Sequence, residues 1–287
     1  MSAPPVGTGS PLERRIVREV GRAIVEHGLI EEGDRVMVAL SGGKDSYAMH
    51  EALRILQRRS PVKYTLVAVH LDQGQPGYDG VPLRAWMEAQ GGEWHVVRED
   101  TYSVVVDKVP EGATYCALCS RLRRGVLYRA ATELGCTKIA LGHHREDAIE
   151  TLLLNLFFAG KVAAMPARLR SDDGANVVIR PMIGCAEEWM AEYAVERGFP
   201  ILPCNLCGSQ SQAQRKQVKA LLGQLETSHP GVKASVFAAL GNVRPTQLLD
   251  RSLALKAEDH RDERGSKGGR ARAPLIGSDG RLRVLDE

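Results

Sequence analysis

Aromatic residues are scarce in this chain: Phe, Trp and Tyr together make up 5% of its 287 residues. That speaks against a stacking platform for long single-stranded nucleic acid. Long apolar runs are missing as well. None approaches the roughly 20 residues that cross a bilayer, and Met1 to Leu12 carries Pro and Gly without a basic-then-apolar signal pattern. The expectation is a cytoplasmic protein with no membrane partner. An excess of one charge is also lacking. Lys and Arg number 38 against 35 Asp and Glu, a net charge of +3, so bulk charge says little about partners. The Walker A pattern Gly-x4-Gly-Lys-Ser/Thr and the dinucleotide pattern Gly-x-Gly-x-x-Gly are both absent. No internal repeat is present. The six cysteines do not suggest a disulfide framework in a cytosolic chain of this length, which leaves metal, cluster or redox chemistry for those that come in pairs.

What is present is organised around Arg35 to Ser46. Its first half is a short apolar run with Val36, Val38 and Leu40, and its second half is a Gly-rich turn opening into an expected helix, Tyr47 to Arg59. A strand, a glycine turn and a helix N-terminus make an anion site, because glycines let the backbone approach a phosphate and unpaired N–H groups point at it. Lys44 adds charge, Ser41 and Ser46 add hydroxyls, and Asp45 sits where a first-turn carboxylate is favoured. Ser41-Gly42-Gly43-Lys44-Asp45-Ser46 resembles the PP-loop of the ATP pyrophosphatase superfamily, enzymes that hold the pyrophosphate of ATP, adenylate an oxygen and release AMP.

The rest of the chain alternates helices and strands. A helix is expected over 11–30, with residues 1–10 disordered before it. After the second helix come a strand from Tyr64 to Leu71, a helix from Val81 to Gln90 and a strand from Trp94 to Val97. Thr101 to Ala113 reads as irregular. A basic helix over 120–134 and a strand from Thr137 to Leu141 follow, then a helix from Ala148 to Phe158, a strand from Val177 to Ile179, a helix from Glu187 to Arg197 and another basic helix over 211–225. This alternation predicts an α/β fold, a Rossmann-like doubly wound parallel sheet with helices on both faces. Three segments are expected: an N-terminal helical lead (1–30), a catalytic domain (31–250) and a flexible C-terminal tail (251–287). Ligands of such sheets bind at the carboxyl ends of strands. Ser41, Asp72 and Gly142 each follow a strand, so they are expected to converge. His70 and Gly142 join Ser41, Gly42, Gly43, Lys44, Asp45 and Ser46 as candidate nucleotide contacts.

Three further constellations carry chemistry. Mg2+ bridges nucleotide phosphates through one or two carboxylates, and Asp45 and Asp147 are the candidates; Asp147 would serve equally well as a helix cap. His143 and His144 are adjacent, so on an extended segment they point to opposite faces and do not make a zinc pair. Cys116 with Cys119, and Cys204 with Cys207, form two Cys-x2-Cys pairs that fit either a structural zinc or an iron–sulfur cluster. Cys136 and Cys185 read as core residues. Basic residues gather in three places: Arg121, Arg123, Arg124 and Arg129; Lys161, Arg168 and Arg170; Arg215, Lys216 and Lys219. The first and last gather on helices that follow a cysteine pair, a pattern suited to a structured RNA gripped by its backbone.

Taken in order, the PP-loop, the Cys116/Cys119 pair, Gly142-His143-His144-Arg145-Glu146-Asp147, Ser171-Asp172-Asp173-Gly174 and Pro203-Cys204-Asn205-Leu206-Cys207-Gly208-Ser209-Gln210 resemble the tRNA-cytidine(32) 2-sulfurtransferase family, from about Leu12 to about Leu249. Glu146 stands where Asp is common in that family, which leaves Asp147 as the retained carboxylate. The resemblance implies ATP-dependent tRNA thiolation. Cytidine 32 of the anticodon loop would be adenylated at its C2 oxygen and converted to 2-thiocytidine, with ATP, Mg2+ and a [4Fe-4S] cluster as cofactors. It implies catalytic roles for Lys44, Asp45, Asp147, Cys116 and Cys207, and a cluster held by Cys116, Cys119 and Cys207 with one iron left open. Its further implications are a cysteine desulfurase as sulfur donor and a homodimer. Two alternatives stand beside it. One is another PP-loop tRNA enzyme, a uridine thiolase or a lysidine synthetase, with a structural zinc. The other is a non-catalytic nucleotide-binding iron–sulfur sensor.

Overall fold

Six short strands form one sheet: β1 (Arg35–Leu40), β2 (Thr65–Asp72), β3 (Glu93–Arg98), β4 (Lys138–Ala140), β5 (Arg168–Arg170) and β6 (Val177–Ile179), in the spatial order β3-β2-β1-β4-β6-β5. The computed structural model describes residues 9–109, 116–202 and 211–251, leaving out the side chains at 116–117 and 211–213. β1 pairs in parallel with β2, from Arg35 opposite Thr65 to Leu40 opposite His70, and with β4 on its other side. β3 and β6 extend the parallel sheet, and only the edge strand β5 runs antiparallel. Val36, Met37, Val38 and Leu40 are all buried, the near-continuous apolar strand that a sheet covered on both faces demands.

The helices are α1 (Pro11–Glu26), α2 (Lys44–Arg59), α3 (Val81–Gln90), α4 (Thr101–Lys108), α5 (Cys116–Glu133), α6 (Arg145–Leu154), α7 (Glu187–Arg197), α8 (Ser211–Ser228) and α9 (Val232–Leu240). On one face of the sheet Met37, Val67, Val69, Ile139 and Val178 pack against Ala130 and Ala131 of α5. Alternate strand residues point the other way, where α2 lies on β1 and β2 and packs against α1 and α7. A buried ion pair ties α2 to α7: the Arg197 guanidinium meets the Glu51 carboxylate at 2.8 and 2.9 Å, and the Tyr193 hydroxyl donates to it at 2.8 Å. Removing one partner of such a pair costs about 3–5 kcal/mol, because the other is left charged and buried. Ile149 of α6 packs on Val218 and Leu222 of α8, and this apolar seat fixes α8 beside the start of α6. The first unit of the chain ends at Ala238; residues 239–251, the described part of the second, hold a 3-10 turn, Pro245–Gln247. Among the described residues no helix is long and apolar enough to cross a membrane.

The sheet and most helices match the sequence reading, and the departures have local causes. Ser10 is not disordered: its side chain caps α1 by accepting the Glu13 N–H at 3.0 Å. α1 itself stops at Glu26, and the chain turns at Gly28 with φ +55°. α2 and α6 each begin three residues before the expected start, at Lys44 and Arg145. α6 ends at Leu154 and widens into a π turn, Asn155–Ala159, closed by Gly160 in the left-handed region. The irregular reading of Thr101 to Lys108 is corrected to α4. Three consecutive valines hide this helix, but Asp100 caps it by accepting the Ser103 N–H, and Thr101 and Val105, one turn apart, are buried. β5 was missed because its three residues are all exposed and show no alternation. α9 was missed too. Cys204, Cys207 and the stretches 1–8 and 252–287 lie outside the described residues.

Candidate active site

β1 ends at Leu40, and the chain must reverse at once into α2. Gly42 makes this possible with φ +83°, and a Cβ there would lie 2.7 Å from Leu202 Cδ1. The Leu202 N–H donates to Gly42 O at 2.9 Å, so that neighbour is fixed in place. Ser41 Oγ accepts the Gly43 N–H at 3.3 Å, and Ser46 Oγ donates to Gly43 O at 2.8 Å. The turn is therefore preformed, with the first N–H groups of α2 at its mouth. Lys44 Nζ lies 3.2 Å from Asp45 Oδ2. Asp45 Oδ1 is buried and accepts no hydrogen bond. A divalent cation, which seeks carboxylate oxygens, fits an oxygen in that state.

The turn after β4 touches the turn after β1. A Cβ on Gly142 would come within 3.2 Å of the backbone of Asp45 and Ser46. The two turns thus form one surface across the β1/β4 boundary, where the strand order reverses direction. Of the three positions expected to converge, Gly142 meets the loop that Ser41 opens, whereas Asp72 lines a separate cavity. Asp147 caps α6 by accepting the His144 N–H at 3.0 Å through Oδ2, and its Oδ1 lies 3.4 Å from Arg215 Nη1. His143 and His144 meet different surroundings. Burial pushes the His143 pKa down to about 4. His144 is equally enclosed, but Glu146, Asp147 and Asp45 outweigh burial and raise its pKa. Glu146 is itself buried, yet bonds from His144, Arg145 and the Glu187 N–H hold its carboxyl down to about 2.

Beside these turns opens a cavity of about 240 Å³ lined by His144, Asp147, Glu150, Glu187, Arg215, Lys216 and Lys219. The sequence reading missed Glu150 and Glu187; the one available signal was the acidic first turn of α7. Glu187 sits 3.6 Å from Lys44 Nζ and accepts from Lys219 Nζ at 2.7 and 2.9 Å. Arg215 also reaches Glu150 at 3.1 Å. Two of the basic residues of α8 are thus engaged with the carboxylates of this cavity.

At the end of β2, His70 departs from the expected role. Its Nδ1–H donates to Leu40 O at 2.7 Å, which leaves Nε2 to accept the Tyr78 hydroxyl at 2.5 Å. Both ring nitrogens are used inside the protein, so the ring ties β2 to β1 and offers neither nitrogen to a nucleotide. One residue on from Asp72, Gln73 Oε1 receives Thr101 Oγ1 at 3.3 Å and the Cys119 thiol at 3.6 Å. Cys119 therefore reaches the carboxyl end of β2, beside a second cavity of about 310 Å³ lined by Asp72, Gly74, Tyr78, Arg84 and Arg98. Cys116 opens the same helix. Among the described residues no three His, Cys, Asp or Glu are gathered as a metal requires; the other expected cluster thiols lie outside them. Cys185 and Cys136 are as expected for core thiols, and burial raises both pKa values. Arg121, Arg123 and Arg124 of α5 face solvent, whereas Arg129 pairs with Glu99 and Arg168 with Gly28 O and Glu31.

The PP-loop domain family matches residues 12–201. The tRNA-cytidine(32) 2-sulfurtransferase of Sorangium cellulosum is 57% identical over 242 residues, 84% of this chain and 86% of that protein. Its counterparts from Shewanella amazonensis and Chromohalobacter salexigens are 54% identical over 258 residues and 56% over 242 residues, covering 88% and 84% of this chain and 81% and 85% of theirs. Among solved structures, the U34-tRNA thiolase NcsA from Methanococcus maripaludis, with its [4Fe-4S] cluster, superposes with a TM-score of 0.63 at 24% identity, over 80% of this chain and 78% of that one. At that identity the likeness speaks to the fold, and it agrees with the parallel sheet described above. On the sequence relatives and the PP-loop match, the chain belongs to the tRNA-cytidine(32) 2-sulfurtransferase family of PP-loop proteins.

Proposed function

We propose that the chain thiolates tRNA, converting cytidine 32 of the anticodon loop to 2-thiocytidine at the expense of ATP. The C2 oxygen of cytosine is a poor leaving group. Attack of that oxygen on the α-phosphorus of ATP forms a C2–O–AMP bond and expels pyrophosphate. Attack of sulfur on C2 then breaks the C2–O bond and releases AMP. The observation that carries this reading is the close approach of Gly142 to Asp45 and Ser46, which joins the turn after β4 to the phosphate-type loop after β1, with Cys119 on the same rim. Ser41 to Ser46 would hold the pyrophosphate by backbone N–H groups and hydroxyls, and Lys44 would neutralise it as it leaves. Such preorganised dipoles do their work without reorganising. Asp45 Oδ1, buried and without a donor, would take Mg2+ together with Asp147. Cys116, Cys119 and Cys207 would hold a [4Fe-4S] cluster, which when bound would supply the sulfur. Exposed Arg121, Arg123 and Arg124 would meet the tRNA backbone. A cysteine desulfurase as sulfur donor, a homodimer and a cytoplasmic setting complete the reading.

The test is an anaerobic reaction of the reconstituted protein with tRNA carrying cytidine 32, ATP, Mg2+, a cysteine desulfurase with its cysteine, and a thiol reductant that supplies the two electrons turning persulfide sulfur into sulfide, followed by nucleoside mass spectrometry. The expected product is 2-thiocytidine, with one AMP and one pyrophosphate released per sulfur. Thiolated uridine instead would overturn the substrate. Pyrophosphate release with no sulfur gained would overturn the reaction.

A further inference from the structure

The basic start of α8 has two sides. Two helices, α6 and α7, present their N-termini at the cavity of about 240 Å³ with Asp147 and Glu187, and Lys44, which opens α2, reaches Glu187 from beside it. Helix N-termini favour anions, and this cavity is lined from the ends of two. α8 faces the cavity with Arg215 and Lys219, one turn apart and so on one side of the helix. Glu187 stands between Lys219 and Lys44: 2.7 Å from one ammonium and 3.6 Å from the other. One carboxylate thus bridges the PP-loop lysine and a lysine of α8.

We propose that Lys219 and Arg215 belong to the pyrophosphate-binding apparatus, and that Glu187 holds the position of a phosphate between Lys44 and Lys219 until nucleotide arrives. The proposal deepens the nucleotide reading above and rests on it. Holding α8 in place is a poor reason for the Lys219–Glu187 bridge. Lys219 is 56% exposed, and pairs that open to water contribute little to stability. The packing of Val218 and Leu222 against Ile149 already seats the helix. A carboxylate pinned between two ammonium groups at the mouth of a phosphate loop is instead the arrangement expected of an internal surrogate. A phosphoryl group of pyrophosphate, with more charge and three oxygens, would displace it and collect both lysines. Arg215, now on Asp147 and Glu150, would become available as a planar donor to the same anion.

The test is calorimetric binding of inorganic pyrophosphate to the full chain, which needs neither cluster nor turnover. Lys44→Met serves as the reference for loss of the PP-loop. Lys219→Met is expected to weaken binding about tenfold, the scale of one charge-assisted contact. Lys219→Arg should restore most of it. Glu187→Gln should tighten binding several-fold, because the competing carboxylate is neutralised while its shape is kept. That sign separates the proposal from a structural role, in which Glu187→Gln would weaken binding with Lys219→Met or leave it unchanged. Unaltered affinity in Lys219→Met, with Lys44→Met impaired, would overturn this inference alone. No pyrophosphate binding by the unmodified chain would overturn the nucleotide reading and this inference with it. Should Lys219→Met fail to fold, the sign of the Glu187→Gln effect still decides.

Discussion

The two halves of the carboxyl rim of the sheet are held with different firmness. On the β1/β4 half, Gly42 and Gly142 press two turns together, and Lys44, Glu146, Asp147 and Glu187 are all engaged. On the β2 half, the described contact of Cys119 with Gln73 is a weak sulfur bond at 3.6 Å, and Arg98 beside the larger cavity is 82% exposed. The difference follows the chemistry each half would do. Charge develops on a leaving pyrophosphate, and donors that are already aimed stabilise it without rearrangement. A base swung out of an anticodon loop needs room and adjustable contacts instead.

The largest expected effect concerns the sulfur chemistry. Cys207→Ala should abolish thiolation and lower bound iron, measured anaerobically with iron, sulfide and zinc counted on one sample, while Cys204→Ala should weaken activity less. Equal loss in both, or stoichiometric zinc without iron, would make the four paired cysteines one structural site and remove that chemistry. Pyrophosphate binding should survive both substitutions if the halves are as separate as the contacts suggest. On the firm half, Gly42→Ala is the sharpest intervention. A non-glycine residue in the left-handed region costs roughly 1–2 kcal/mol, and the new methyl would also collide with Leu202. Calorimetry should show pyrophosphate affinity reduced about tenfold or more. Gly142→Ala carries no such backbone penalty and should lose less. Equal losses would mean that the close approach, not the backbone conformation, governs the site.

A third effect is a matter of acid. His50 and His143 are both buried, and burial lowers their pKa values from 6.5 to about 3 and about 4. At these two positions the unfolded chain binds more protons than the folded one below pH 6.5, and His144, whose pKa is raised, offsets part of this. Stability is full above that pH and is lost as pH falls toward 4. Melting temperature should drop by several degrees between pH 7 and pH 5, since about 1 kcal/mol moves it roughly 2–4 °C in a domain of this size. His143→Asn should flatten part of that slope. A slope unchanged in this variant would place His143 in contact with water.

Much of this was legible beforehand because glycines and strand ends carry their own geometry. Gly42 and Gly142 stand where the chain must turn sharply, and the alternation of strands and helices puts both turns on one rim. The parallel sheet followed from apolar runs such as Leu66 to Val69, suited to burial on both faces. What sequence could not supply were partners distant in the chain. Glu187 reads as an ordinary helix start until α8 lays Lys219 against it. His70 reads as a nucleotide contact until Leu40 and Tyr78 take both its nitrogens. α4 was hidden because three valines in a row resemble a strand, and only the Asp100 cap and the one-turn spacing of Thr101 and Val105 betray the helix.

The smallest expected effect tests whether the β2 half is organised at all. Gln73 Oε1 is the acceptor shared by Thr101 Oγ1 and the Cys119 thiol, and so a polar contact between the end of β2 and the cysteine-bearing start of α5. Gln73→Ala removes one weak sulfur contact and one hydroxyl bond, each with a modest net contribution of about 1 kcal/mol or less. Melting temperature should therefore shift by no more than a few degrees. Pyrophosphate binding, which belongs to the other half, should not change. On the proposed reading thiolation should fall several-fold, because Cys119 would lose one of the contacts that hold it at the end of β2. Gln73→Glu should behave differently, since a carboxylate beside a thiolate or an iron site adds repulsion where the amide had none. If Gln73→Ala leaves thiolation at the original rate, the contact at 3.6 Å does not position the cysteine.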